Sequence, residues 1–114
     1  MAKAINWPAQ YLNEVINEDL TTLKAAVRLG DIYYTHGYYT PDEIVDIRVN
    51  HKAIRTAKIA GEMKYCKISE LTPEDFDALK LNIKTEKNLV DYLASTYEKE
   101  VDSQTYVTVV YYKN

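Results

Sequence analysis

Arg28 and Lys24 stand four residues apart and together offer a partner for a phosphate or a base edge. A guanidinium presents a planar fork of donors, and an ammonium adds a mobile point charge. Tyr33, Tyr34, Tyr38 and Tyr39 follow closely, and rings of this kind are what single-strand binders stack bases on. Thr21 and Thr22 place hydroxyls beside Lys24, which completes a candidate ligand pocket of Thr21, Thr22, Lys24, Arg28 and the tyrosines. Arg48, Lys52, Arg55 and Lys58 form a second basic group further on. Each feature has a plainer alternative. The threonines would satisfy a turn, the tyrosines would pack the rim of a sheet, and the later cations would sit on a solvated face. His36 and His51 lack an acidic neighbour at ligand spacing, and Cys66 lies in an apparent strand, so no metal site is expected and no cofactor is implied.

Composition narrows the classes. A chain of 114 residues with 46% hydrophobic residues reads as one domain, 1–114, with a core that needs no staple. One cysteine and no Cys/His ligand cluster fit a reducing, cytoplasmic setting. No apolar run approaches the roughly 18 residues of a membrane span, and MAKAINWPAQ has no signal-like apolar core, so no membrane partner is expected. The net charge is −3, from 14 basic and 17 acidic side chains, which argues against non-specific nucleic-acid binding. A nucleic-acid role must then rest on a local patch or a base-sized pocket. Eleven tyrosines against one phenylalanine suit half-buried sheets and wet pockets, where a ring with a polar tip is at home.

The elements that position these residues follow from periodicity. A first strand is expected over Met1–Ile5, and Trp7-Pro8 opens a helix carrying Tyr11, Leu12, Val15 and Ile16 on one face. Leu20–Leu29 reads either as a short helix or as a turn followed by a strand ending in Val27-Arg28-Leu29. The tyrosine stretch reads as a loop. Val45, Ile47 and Val49 alternate with Asp46 and Arg48, which predicts a half-buried strand, turned at Asn50-His51 into a partner over Ala53–Ala60. The phase of that partner predicts a bulge near Arg55-Thr56. A short strand, Lys64–Ile68, leads to a helix start at Thr72-Pro73-Glu74-Asp75 that would bury Phe76 and Leu79. Leu89, Leu93 and Tyr97 stripe a last helix opened by Thr85, and Tyr106–Tyr112 is strongly β. The order defines an α+β domain with a small mixed or closed sheet.

This order, with several local phrases, resembles the ASCH domain family of the PUA-like superfamily. The matching phrases are Ile5-Asn6-Trp7-Pro8-Ala9, Arg28-Leu29-Gly30-Asp31, Asp42-Glu43-Ile44-Val45-Asp46-Ile47-Arg48, Ala57-Lys58-Ile59 and Ile68-Ser69-Glu70-Leu71-Thr72. The final aromatic strand is matched too. The resemblance implies a small β-barrel of about five to six strands with helices packed over it, and so favours the turn-then-strand form with a strand at Val27–Leu29. It also implies RNA or modified-nucleoside binding and, in some members, acetylcytidine hydrolysis or RNA cleavage. The family signature, Gly-x-Lys-x-x-Glu-x-Arg, is degenerate here. Its lysine position falls on Leu20 counting from the first helix and on Leu23 counting back from Arg28. The usual Gly-Asp before the hairpin strand is Pro41-Asp42, and the carboxylate expected near Leu79 has Asp77 as its nearest substitute.

Amide hydrolysis on such a scaffold needs a nucleophile, a base and a carboxylate within mutual reach, roles that Thr22 (or Thr21), Lys24 and Asp77 have the chemistry to fill. With two of the family's catalytic groups displaced, the expectation is a non-catalytic binder of RNA or a modified nucleoside. The alternatives are a small amidohydrolase or ribonuclease, and a protein-interaction domain using the tyrosine loop.

Overall fold

In the strand Ile44–Val49, Val45, Ile47 and Val49 are buried while Ile44 is exposed and Asp46 and Arg48 are half-exposed, which is the period-two pattern of the sequence made physical. The computed structural model describes residues 3–114. The first strand, expected from Met1, is described as β1 (Ala4–Trp7); residues 1–2 lie outside the description. The strand order continues with β2 (Lys24–Leu29), β3 (Ile44–Val49), β4 (Lys52–Ile59), β5 (Lys64–Lys67) and β6 (Tyr106–Lys113).

β3 and β4 form the hairpin, joined at Asn50-His51 with φ of 50° and 68°. A type I′ turn needs positive φ at both residues, so this one is built without the glycine that usually supplies it. The bulge lies at Ile54, because Ile47 opposes Arg55 while Arg48 opposes Ala53; this is one residue earlier than the phase suggested. β1 runs parallel beside β3. β6 pairs antiparallel with β2, with β5 and, at Lys113 and Tyr112, with the end of β4. The hydrogen-bonded order is β1-β3-β4-β6-β2 with β5 on β6, a six-stranded mixed sheet. Its end strands, β1 and β2, are not paired to each other. The α+β class therefore stands, but backbone pairing leaves the sheet open at one seam.

The ambiguous Leu20–Leu29 stretch adopts the turn-then-strand form, with Ala25, Ala26 and Val27 all buried against the β-branched run of β6. Tertiary pairing overrides the helix propensity of the two alanines. A 3₁₀ turn (Ala9–Tyr11) precedes α1 (Leu12–Asn17). The tyrosine stretch contains a single-turn helix, α2 (Ile32–Thr35), where a loop was expected. α3 (Pro73–Asp77) has a reciprocal cap: Asp75 N–H donates to Thr72 Oγ1 and Thr72 N–H to the Asp75 carboxylate. α4 (Glu86–Tyr97) starts on Thr85 and buries Leu89 and Leu93. The core joins Ile5, Val15, Ile47, Ile59, Leu79 and Leu93 across all layers, while Phe76 is only half-buried. Among the described residues, no helix is long and apolar enough to cross a membrane.

Candidate functional site

An unpaired strand edge carries backbone groups that need partners. At the seam those partners are mostly side chains. Arg28, on β2, donates from Nη2 to the Asn6 carbonyl of β1 at 3.0 Å and from Nη1 to the Val27 carbonyl at 3.2 Å. Leu29 N–H reaches Tyr97 Oη of α4 at 3.4 Å, and Ala25 N–H reaches the Ala78 carbonyl at 3.0 Å. His51 N–H donates to Asn6 Oδ1 at 2.8 Å, which fixes the hairpin turn beside β1.

What remains of the gap is a cleft of about 230 Å³ walled by Trp7, Arg28, His51, Tyr92, Thr96 and Tyr97. It is smaller than a drug-sized pocket and suits a group the size of a nucleobase. The Arg28 guanidinium lies 5.6 Å from the centre of the Trp7 ring. Among the described residues, no carboxylate stands within ion-pair distance of it. Two of its donors go to backbone carbonyls, so most of the fork stays available to a ligand. A half-buried cation without an anion is what an anionic or carbonyl-rich ligand would complete.

Beneath this cleft the Trp7 ring meets a second cation. Lys80 Nζ lies 4.2 Å from the ring centre, 2.6 Å from Glu18 Oε2 and 3.2 Å from Tyr112 Oη. The Lys80 and Glu18 side chains are 1% and 4% exposed, so this cluster is sealed. Burial pushes the Lys80 ammonium pKa down, against the pull of Glu18, and pushes the Tyr112 hydroxyl well up, with Glu18 adding to the effect. Trp7 Nε1 is buried without a hydrogen-bond partner; it lies near enough to favour the Tyr112 anion but outside hydrogen-bonding geometry. A substrate has no access here, and the pair serves the core. Sequence reasoning passed over Lys80, whose only signal is its place between Leu79 and Leu81.

The residues expected to form one pocket are dispersed. Thr21 donates to Asp19 Oδ1 from its hydroxyl at 2.6 Å and from its N–H at 3.0 Å, and the Thr22 hydroxyl donates to the Asp19 carbonyl at 3.0 Å. Those bonds hold an exposed turn. Lys24 and Arg28 share a face of β2, but four residues of strand separate them by ~13 Å, and Lys24 lies in a shallow depression beside Asn17 and Asp19 rather than in the cleft. Asp77 is exposed, and its carbonyl accepts from Lys84 Nζ. Among the described residues no hydrogen bond or ion pair joins Thr22, Lys24 and Asp77. In the later basic group, Arg48 pairs with Asp46 at 3.5 Å, and Arg55 donates to the carbonyls of Val15 and Glu18 at 3.2 and 2.8 Å.

The tyrosines divide. Tyr39 is buried, donates to the Ala4 carbonyl at 2.6 Å, and has its pKa pushed up by burial to about 12. Tyr33 and Tyr38 pack on it with ring centres 5.7 and 4.8 Å away. Tyr34 turns elsewhere. It stacks on Tyr65 at 5.5 Å, which stacks on Tyr106 at 5.0 Å, with Lys67 Nζ 5.9 Å over the last ring. This ladder is exposed (Tyr34 47%, Tyr65 36%, Tyr106 44%), and sequence spacing had no means of bringing its three strands of chain together.

No known protein family, curated protein or solved structure matches this chain.

Proposed function

We propose that the chain binds RNA nucleotides or a modified nucleoside in the seam cleft without turning them over. In this reading it is a cytoplasmic, ASCH-like member of the PUA-like superfamily whose curled sheet approximates a small barrel. The observation that carries the proposal is Arg28, a guanidinium with no carboxylate partner among the described residues, in a base-sized cleft whose half-buried rings are Tyr92 and Tyr97, with the buried Trp7 ring behind it. Aromatic faces and an arginine fork are the two elements of single-strand recognition. The dispersal of Thr22, Lys24 and Asp77, and the sealing of Lys80, favour binding over hydrolysis or RNA cleavage.

The test is an amide and indole NMR titration with acetylcytidine, cytidine nucleotides and short single-stranded RNA. Shifts at Trp7 Nε1–H and at the amides of Asn6, Arg28 and Tyr97 are expected. Arg28→Gln, checked for an unchanged spectrum elsewhere, should weaken binding by about tenfold or more, since a hydrogen bond to a charged group contributes ~1.5–3 kcal/mol. Arg28→Lys should recover only part of it. An absence of shifts at millimolar ligand would sink the proposal.

One observation favours a second reading, protein docking: the exposed Tyr34–Tyr65–Tyr106 ladder. Here Tyr65→Ala should weaken capture of a partner while leaving nucleotide titrations unchanged. Loss of capture with Arg28→Gln instead would count against it.

A further inference from the structure

The seam cleft does not end at Tyr92. A second depression of about 530 Å³ shares Pro8, Tyr92 and Thr96 with it, so the two adjoin along α4 and together make a groove divided at Tyr92. The chemistry changes along the groove. The Arg28 end is cationic and aromatic. The far end is lined by the side-chain amides of Gln10, Asn82 and Asn88 and the hydroxyl of Ser95, with Asp91 as its one ionised group. Asn82 Oδ1 already accepts from Tyr11 Oη at 3.0 Å, which leaves its amide hydrogens to donate. Of the lysines that flank this stretch, Lys87 pairs with Asp91 itself at 2.8 Å and so balances the one acid of the far end, and Lys84 donates to the Asp77 carbonyl.

Arg28 is therefore the one lysine or arginine lining the whole groove. A nucleic-acid strand brings a phosphate with every nucleotide, and each needs a cation or costs desolvation and repulsion against a chain of net charge −3. The far end offers no cation beyond Lys87, which is already paired with Asp91. It offers neutral donors and acceptors, which suit the hydroxyls of a sugar, with the Tyr92 ring between the two compartments. Resting on the cleft reading above, we infer that the groove takes a single nucleoside monophosphate unit, its phosphate on Arg28 and its base against Tyr92 and Tyr97 within the cleft, and its sugar hydroxyls toward Asn82 and Asn88. The unit is either a free mononucleotide or the phosphorylated end of a strand, never the interior of one.

The experiment is calorimetric titration of the full chain with cytidine, cytidine monophosphate, inorganic phosphate, and a short single-stranded RNA with and without a terminal phosphate, at low and high salt. The monophosphate should bind about tenfold or more tightly than the nucleoside. The terminally phosphorylated strand should match it, with a log–log salt slope of about −0.7 to −0.9, the value for one phosphate. A strand without the terminal phosphate should bind no better than the nucleoside; tight binding by the mononucleotide but not by the phosphorylated strand identifies the free form. Asn88→Ala is a sparing second variant, because only its backbone N–H is used in the α4 cap. It should weaken the monophosphate several-fold and leave inorganic phosphate unchanged. Strand binding with a slope of about −3 or steeper would overturn the inference, as would equal affinity for cytidine and its monophosphate. If Arg28→Gln still abolished that binding, the cleft reading would survive. No binding by any of these ligands would end both.

Discussion

A lysine with its side chain 1% exposed keeps its place only while its ammonium is answered, and for Lys80 the answer is Glu18, the Tyr112 hydroxyl and the face of Trp7. Removing one member strands the other in a low-dielectric core. Lys80→Met should lower unfolding free energy by about 3–5 kcal/mol, whereas Lys80→Met with Glu18→Leu should recover most of that loss. Denaturant unfolding with unchanged m-values measures both; a single variant within 1 kcal/mol of the parent, roughly the scale of an exposed pair, would mean that the pair is not sealed. Legibility at this scale was uneven. Arg28 drew notice as a guanidinium beside an aromatic stretch, but the rings that the structure sets around it, Trp7, Tyr92 and Tyr97, come from other segments. Lys80 drew no notice, because a lone lysine reads as solvated, and its partner comes from 62 positions away. Thr21 and Thr22 had their ordinary role written beside them in Asp19, as an Asx-type turn.

Among the elements, those whose signal is local were readable. The alternation of β3, the Thr72-Pro73 start of α3 and the Thr85 start of α4 each depend on residues within a few positions. β2 is different: nothing inside it outweighs Ala25-Ala26, and only β6 decides it. α2 was missed because tyrosines favour strands, and a single helical turn leaves no period to detect. The end of α4 carries a cost that a substitution can remove. Glu98 holds φ of 53°, the left-handed region that suits glycine. Glu98→Gly should raise stability by about 1 kcal/mol, seen as a higher melting temperature; an unchanged or lower value would mean that the Glu98 side chain compensates for its backbone. His51 accepts a similar φ of 68° in the hairpin turn, but there the side chain also lines the cleft. A strained residue that lines the candidate site, and one that only adjoins it in sequence through Tyr97, are separate cases.

For the whole molecule, class and charge were legible, and closure was not. Whether six strands meet depends on the summed twist and stagger of all of them, which no local phrase encodes. Global acid stability depends on a tie between three elements: the Asp75 carboxylate of α3 takes Lys64 Nζ of β5 and Tyr111 Oη of β6, both at 2.6 Å. Burial alone would raise the Asp75 pKa, but those two partners and the Thr72 N–H hold it below its ordinary 3.8. Its stabilising contribution is thus whole above that value and is lost as pH falls through the folded pKa. Lys64→Met should therefore cost most near neutral pH and progressively less below about pH 4. A difference that stayed constant through that range would show that Asp75 is not the group responsible.

The clasp at the seam has one more consequence, for how copies of the chain behave toward each other. Arg28 and Tyr97 cover backbone groups on two neighbouring strand ends that would otherwise be templates for an incoming strand. The same guanidinium thus guards against edge-to-edge aggregation and is the group on which the proposed binding rests. A variant that discards it should give up solubility margin, and any ligand of the proposed kind must leave the bond from Nη2 to the Asn6 carbonyl in place.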